Sequence, residues 1–254
     1  MKLQSQRRWL WPPGLIFLVL AGCFHGPARS AALDKLIKTD SGRWGKIIEL
    51  RLDLYEKELR RINPQYDKAV RESITQPVQR VILSLFALEK KAGVIAELGS
   101  WTGGGVLLMA PFLINDRSYH AVDTFNADHM PDKYVQDYLK GRKHLDVFKE
   151  NIQPLKKKVV IHQGTTDEVA AKWPKNRTID LLFIDADHSY KAVSADWRNW
   201  SPFVRKGGII AFHDYYVETA GGHEGVRKFV DEAIVGQAGK NFHCVEGLAW
   251  YVVE

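Results

Sequence analysis

Val94-Ile95-Ala96-Glu97-Leu98-Gly99-Ser100-Trp101-Thr102-Gly103-Gly104-Gly105 is an apolar run of strand length broken by glycine, followed by a glycine-rich turn. Glycines there let the backbone pass close to a ligand and open a helix whose N-terminus faces it. The same texture repeats downstream. Short apolar runs at Tyr119–Val122, Val159–His162, Ile179–Ile184 and Gly208–Phe212 alternate with helical stretches. Alternation of this kind predicts βαβ units around a mostly parallel sheet. Phe242–Val245 and Ala249–Val253 are separated only by Glu246-Gly247-Leu248 and are expected to pair as an antiparallel hairpin. The fold expected is α/β, a Rossmann-like seven-stranded mostly parallel sheet closed by that C-terminal hairpin, over residues 93–254.

Upstream, the pattern from residue 33 to 92 is helical. Ile47, Leu50, Leu54 and Ile62 recur near 3.6 residues, and Pro64 and Pro77 punctuate the run. This extension is expected to form a basic lid or an arm through which copies of the chain associate. Residues 1–32 read as a signal-like or anchor segment. Lys2, Arg7 and Arg8 precede an apolar run from Leu15 to Cys23 that is too short to span a bilayer, and Pro12-Pro13 blocks its extension backwards. Leu20-Ala21-Gly22-Cys23 resembles a bacterial lipobox. An exported lipoprotein serving as a binding module, a membrane-associated protein and a mis-assigned start all remain open on this segment; a cytoplasmic catalytic domain is the preferred reading.

Charge is divided unevenly. Residues 1–93 carry 17 Lys and Arg against 9 Asp and Glu, whereas residues 94–254 carry 19 against 21. The part that holds the chemistry therefore lacks the basic stripe of a nucleic-acid enzyme, and a small-molecule substrate is expected. Two distant cysteines, Cys23 and Cys244, suggest neither a disulfide framework nor a cysteine-based zinc site.

The glycine loop excludes two common nucleotide readings. A G-x-G-x-x-G count from Gly99 puts Trp101 where the second glycine must stand, and a count from Gly103 puts Leu108 at the third. A nicotinamide-dependent oxidoreductase, the rival enzyme class, is weakened accordingly. A P-loop would need a lysine where Gly105 and Val106 stand. Asp123 ends the second strand, 24 residues after Gly99, where a doubly wound fold places an acid for ribose hydroxyls; capping its own loop is the other reading. Gln163-Gly164-Thr165-Thr166-Asp167 ends the third strand, and an N-cap at Thr166 or Asp167 explains it as well as a ligand contact does.

Asp185 and Asp214 end two apolar runs that are expected to be neighbours, about 4.8 Å apart, at the ligand edge of the sheet. Two carboxylates brought together there need a cation or a proton between them, and oxygen donors favour magnesium, manganese or calcium. His188 and His213 are the candidates for proton transfer, since an imidazole near its usual pKa of about 6.5 can take a hydroxyl proton at neutral pH. His188 is favoured as base. Trp197 and Trp200 are expected to pack against the sheet.

Ile179 to Tyr190, Asp196-Trp197, Trp200-Ser201-Pro202 and Lys206 to Asp214 together resemble the small-molecule O-methyltransferases that include macrocin O-methyltransferases and the proteins called cephalosporin hydroxylases. Gly225 to Val230 is similar to a helix of that group, and the likeness spans residues 78–253. The segment from Glu97 to Gly105 resembles the first motif of class I methyltransferases. The resemblance implies S-adenosylmethionine as cofactor, held by Glu97, Gly99, Ser100, Gly103, Gly105, Asp123, Thr165 and Asp185. It implies magnesium at Asp185 and Asp214 with His213 as third ligand, and catalysis by His188, Asp185 and His213. His213 stands where some metal-using relatives carry an acid. The reaction implied is metal-assisted O-methylation of a hydroxylated small molecule such as a sugar or polyketide.

Overall fold

A computed structural model describes residues 51–89, 93–113, 117–128, 131–215, 224–238 and 241–254. The signal-like segment with Cys23 and the first part of the helical extension lie outside the described residues. Among the described residues no helix is long and apolar enough to cross a membrane.

Seven strands, β1 (Val94–Leu98), β2 (Ser118–Asp123), β3 (Val159–Gln163), β4 (Ile179–Ile184), β5 (Val204–Tyr215), β6 (Phe242–Val245) and β7 (Gly247–Val252), form one sheet in the order β3-β2-β1-β4-β5-β7-β6. The first five run parallel, and β7 pairs antiparallel with both β5 and β6. The fold class is the one the sequence predicts. Every residue of β4 is buried, because a central parallel strand is covered on both faces and so reads as an unbroken apolar run. The hairpin is tighter than expected. Only Glu246 lies between β6 and β7, since Glu246 and Gly247 both take positive φ (39° and 79°) and reverse the chain within two residues.

One face of the sheet is covered by α1 (Leu52–Ile62), α2 (Tyr66–Glu72), α3 (Pro77–Glu89), α4 (Gly104–Met109) and, past the short α5 (Asp132–Tyr134), by α6 (His144–Asn151). Tyr55, Leu59 and Tyr66 of the helical extension are buried in the same core as Leu107, Leu108 and Tyr119. The change of texture at residue 93 is therefore not a boundary in the packing: residues 52–89 complete one side of the core. Asn63 donates to the carbonyls of Leu107 (3.0 Å) and Leu108 (3.4 Å), tying the extension to the helix that follows the glycine loop. The opposite face carries α7 (Thr166–Ala171), α8 (Tyr190–Trp200) and α9 (Glu224–Phe229). Trp200 is fully buried there and Trp197 packs at its margin, as expected.

The strand order reverses between β1 and β4. Crevices at such a switch point, at the carboxyl ends of the strands, are where doubly wound sheets bind ligands. The glycine loop follows β1, Asp123 ends β2, Asp185 follows β4, and His213 and Asp214 lie near the end of β5, so all the candidate groups reach one edge.

Candidate active site

The glycine loop packs against the backbone that follows β4. Gly99 has φ 85°, and a Cβ there would sit 2.1 Å from the carbonyl oxygen of Asp185. A Cβ on Gly105 would come within 1.9 Å of the Glu97 carboxylate. Both glycines are thus fixed by close approach: a larger residue would have to move backbone at Gly99 and the buried Glu97 side chain at Gly105. Glu97 and Ser100 are buried at 2% exposure, and Gly103, in the left-handed region, leads into α4. Burial pushes the Glu97 carboxyl up to about 8, while the hydroxyls of Ser100 and Tyr119 pull it back toward the ionised form.

Asp123 braces this loop. One carboxylate oxygen accepts the Trp101 N–H at 2.9 Å and the other the Phe125 N–H at 2.7 Å. Trp101 and Phe125 both have positive φ (43° and 50°), a conformation costly for a large side chain, so the carboxylate holds two strained turns together. Of the two sequence readings of Asp123, the capping of its own loop is the one these bonds show; the residue also stands at the carboxyl edge of the sheet. At Thr165 the N-cap is one residue earlier than expected. Its hydroxyl accepts the Glu168 N–H at 3.2 Å while the Glu168 carboxylate accepts the Thr165 N–H at 3.0 Å, a reciprocal capping box that commits the side chain to α7.

Asp185, His188, His213 and Asp214 form one cluster. His213 Nδ1 lies 3.0 Å from Asp185 Oδ1 and 3.2 Å from Asp214 Oδ2, and His188 Nε2 lies 3.0 Å from Asp214 Oδ2 and 3.8 Å from Asp185 Oδ1. Successive strand residues ordinarily face opposite sides. His213 and Asp214 instead both reach the cluster, because Asp214 has φ 56° within an irregular stretch of the β5–β7 pairing between Phe212 and Tyr215. His188 is set by its turn: Asp187 accepts the Ser189 N–H at 2.7 Å, and Ser189 caps α8.

The expectation of a histidine near its usual pKa does not survive this geometry. Burial disfavours the imidazolium of both rings, yet the two carboxylates more than offset it, raising His188 to about 9 and His213 to about 10. Burial acts against the Asp214 carboxylate as well, but the two imidazoles hold its pKa well below the usual range. The carboxylates thus push both rings toward the imidazolium, the form that does not accept a proton. The ligand atoms of Asp185, His188 and Asp214 lie within 4.8 Å of one another, a spacing that suits one metal ion.

Residues 96–215 match the methyltransferase domain family. That stretch, just under half of the chain, is similar to a methyltransferase domain. The solved O-methyltransferase TomG from Streptomyces achromogenes, involved in tomaymycin synthesis and bound to S-adenosylmethionine, superposes with a TM-score of 0.55 at 15% identity, over 75% of this chain and 90% of that one. An O-methyltransferase from Bacillus cereus in complex with S-adenosylhomocysteine gives 0.55 at 18% identity, over 83% and 98%. At such identities the likeness is one of fold. A mimivirus protein, R132 of Acanthamoeba polyphaga mimivirus, is 51% identical over 37 residues, which are 15% of this chain and 17% of that protein.

Around the stretch that matches this family the structure adds residues that sequence reasoning passed over. Glu72 of α2 accepts the Thr102 hydroxyl through its backbone carbonyl (3.1 Å) and the Asn151 amide through its carboxylate (2.9 Å), while Asn151 also donates to the Thr102 carbonyl (2.9 Å). Those bonds fasten the glycine loop to the helical extension. Gln79 of α3 meets His213 Nε2 at 3.0 Å. Neither group belongs to a motif, and their proximity is visible only once the chain is folded.

Proposed function

We propose that this chain transfers the methyl group of S-adenosylmethionine to a hydroxyl of a small molecule, at a site where the glycine loop holds the donor and the Asp185–Asp214 cluster holds the acceptor. The observation that carries this reading is the contact of Gly99 with the Asp185 backbone, which puts the loop and the cluster side by side at the switch point. The loop suits an adenosyl amino acid: its glycines leave the backbone free to approach, and Asp123 stands at the end of β2 for the ribose. Methyl transfer forms a bond from the acceptor oxygen to the methyl carbon as the carbon–sulfur bond breaks, the electron pair leaving with sulfur and the proton leaving the hydroxyl. Alignment of the two reactants supplies much of the acceleration.

A divalent cation fits the cluster. Asp185 and Asp214 would hold it with His213 and His188 beside them, and their convergence on a largely buried point is the chemistry such an ion stabilises. Bound there, it would lower the acceptor hydroxyl's pKa and relieve the charge that keeps the imidazoles protonated. With His188 kept as the base, His213 would add one nitrogen donor to the two carboxylates, a set that suits manganese as well as magnesium. His188 is 31% exposed against 6% for His213, so His188 is the ring that an acceptor can reach and the one assigned as base. The test is transfer of labelled methyl from S-adenosylmethionine to a panel of sugars and polyketide alcohols, with and without chelator. Absence of S-adenosylhomocysteine binding by calorimetry would overturn the reading.

A further inference from the structure

Gln79 is fully buried at the start of α3, outside the stretch that matches the methyltransferase family. It sits three residues after Gln76, with Pro77 opening the helix. Its Oε1 accepts the Gln76 N–H at 2.7 Å, the reach-back of a capping box, in which the third helical residue satisfies an orphan donor at the helix start. Its Nε2 donates to the Glu246 carbonyl at 2.5 Å, at the tight β6–β7 turn. These two bonds settle which end of the amide is which. A flipped amide would set its NH2 against the Gln76 N–H and its oxygen against the Glu246 carbonyl, two contacts between like groups. Oε1 therefore faces His213, and at 3.0 Å the His213 Nε2 must carry the proton of that bond.

We infer that Gln79 is a positioning residue for the active site: by holding the proton of His213 on Nε2, it leaves Nδ1 as the ring atom presented to Asp185 and Asp214. The arrangement is the one by which a buried acceptor orients a metal-binding imidazole from behind, fixing both tautomer and ring direction. Asp185 and Asp214 lie on the Nδ1 side and Gln79 on the other, so the ring is gripped along its length. Because Gln79 also holds the turn at Glu246, the α3 start, the last hairpin and β5 are joined through one amide. The inference rests on the cluster being the methyl-transfer site for its purpose, and its test is independent of turnover.

The test uses the full chain with 15N-labelled histidines and Mn2+ alone as the metal probe. A slowly exchanging ring N–H, assigned to His213 Nε2 by its loss in His213→Gln, is expected in the native protein. Gln79→Met, similar in size but without polar atoms, should lose that signal and weaken Mn2+ binding about 10- to 100-fold. Gln79→Glu keeps an acceptor and should retain the signal. A folded Gln79→Met protein with the ring signal and Mn2+ affinity of the native chain would overturn the inference. Should Gln79→Met fail to fold, loss of the signal in Gln79→Glu overturns it and retention supports it. If the native chain binds no Mn2+ while the ring signal follows Gln79 as described, metal assistance fails and the positioning role stands.

Discussion

Gly99 and Asp185 touch through their backbones: a Cβ on Gly99 would lie 2.1 Å from the Asp185 carbonyl oxygen, and the Asp185 N–H donates to the Leu98 carbonyl at 2.8 Å. Gly99→Ala therefore has to move either the glycine loop or the end of β4, on top of the strain of a side chain at φ 85°. It is expected to weaken S-adenosylhomocysteine binding by at least about tenfold and to lower thermal stability, the cost of an incompatible alanine exceeding about 1 kcal/mol. Calorimetry and a melting curve on the same sample check both.

Asp123→Ala removes the acceptor for two backbone N–H groups, each worth about 1.5–3 kcal/mol when the acceptor is charged. Because these bonds hold Trp101 and Phe125 in left-handed turns, the loss should spread into the loop as well as to any ribose contact. Weaker S-adenosylmethionine binding should come with a changed Trp101 environment by fluorescence. Unchanged affinity would show that Asp123 serves the loop without serving the cofactor.

Thr165 separates two roles. Thr165→Ala should cost about 1 kcal/mol of stability through loss of the cap, whereas Thr165→Ser should cost little. Both variants should bind S-adenosylmethionine alike if the hydroxyl is committed to Glu168 as observed. A binding loss in Thr165→Ala that Thr165→Ser restores, without a stability change, would instead assign the hydroxyl to the ligand.

Acid should destabilise the fold through His120. Its imidazole lies 2.8 Å from that of His162, and burial together with the facing His162 and Arg177 pushes its pKa down to about 3; burial likewise lowers His243 to about 4. A depressed folded-state pKa gives stability that is complete above the unfolded value of about 6.5 and is lost as pH falls toward the folded value. Each such histidine should remove roughly 1.4 kcal/mol per pH unit in that window, once the pH is well below 6.5. The raised carboxyls of Glu97 and Asp196 work in the opposite direction as pH falls, so the check is a comparison: between pH 6 and pH 4 the melting temperature of His120→Gln should fall less, or rise more, than that of the native chain.

The sheet was legible because its strands are buried on both faces, so Ile179–Ile184 and Gly208–Phe212 stand out as apolar runs with turn residues around them. The meeting of Asp185 and Asp214 followed from the same logic, since both sit at the carboxyl ends of neighbouring strands. The entry of His213 beside Asp214 was less legible. It depends on a positive φ at Asp214, which no residue type announces, and the pKa of each histidine depends on the carboxylates that this irregularity delivers. Gln79 could not be read at all as part of the site, because it lies 134 positions from His213 and carries a local signal that points only to a helix start. The helical extension was recognised, but its shared core with the sheet comes from Tyr55, Leu59 and Tyr66 packing on residues a periodicity cannot name.

On the proposed function, donor binding and acceptor activation occupy adjoining but separate groups. The most direct measurement is turnover and S-adenosylhomocysteine affinity determined side by side for Asp185→Asn and Asp214→Asn, each with and without a chelator. The carboxylates that gather the cluster should be indispensable for transfer, so turnover should fall by at least about 100-fold in both variants. Affinity should stay within a few-fold of the native chain, because the loop from Gly99 to Gly105 and Asp123 are intact. Turnover that survives chelation in both variants would contradict this division of roles.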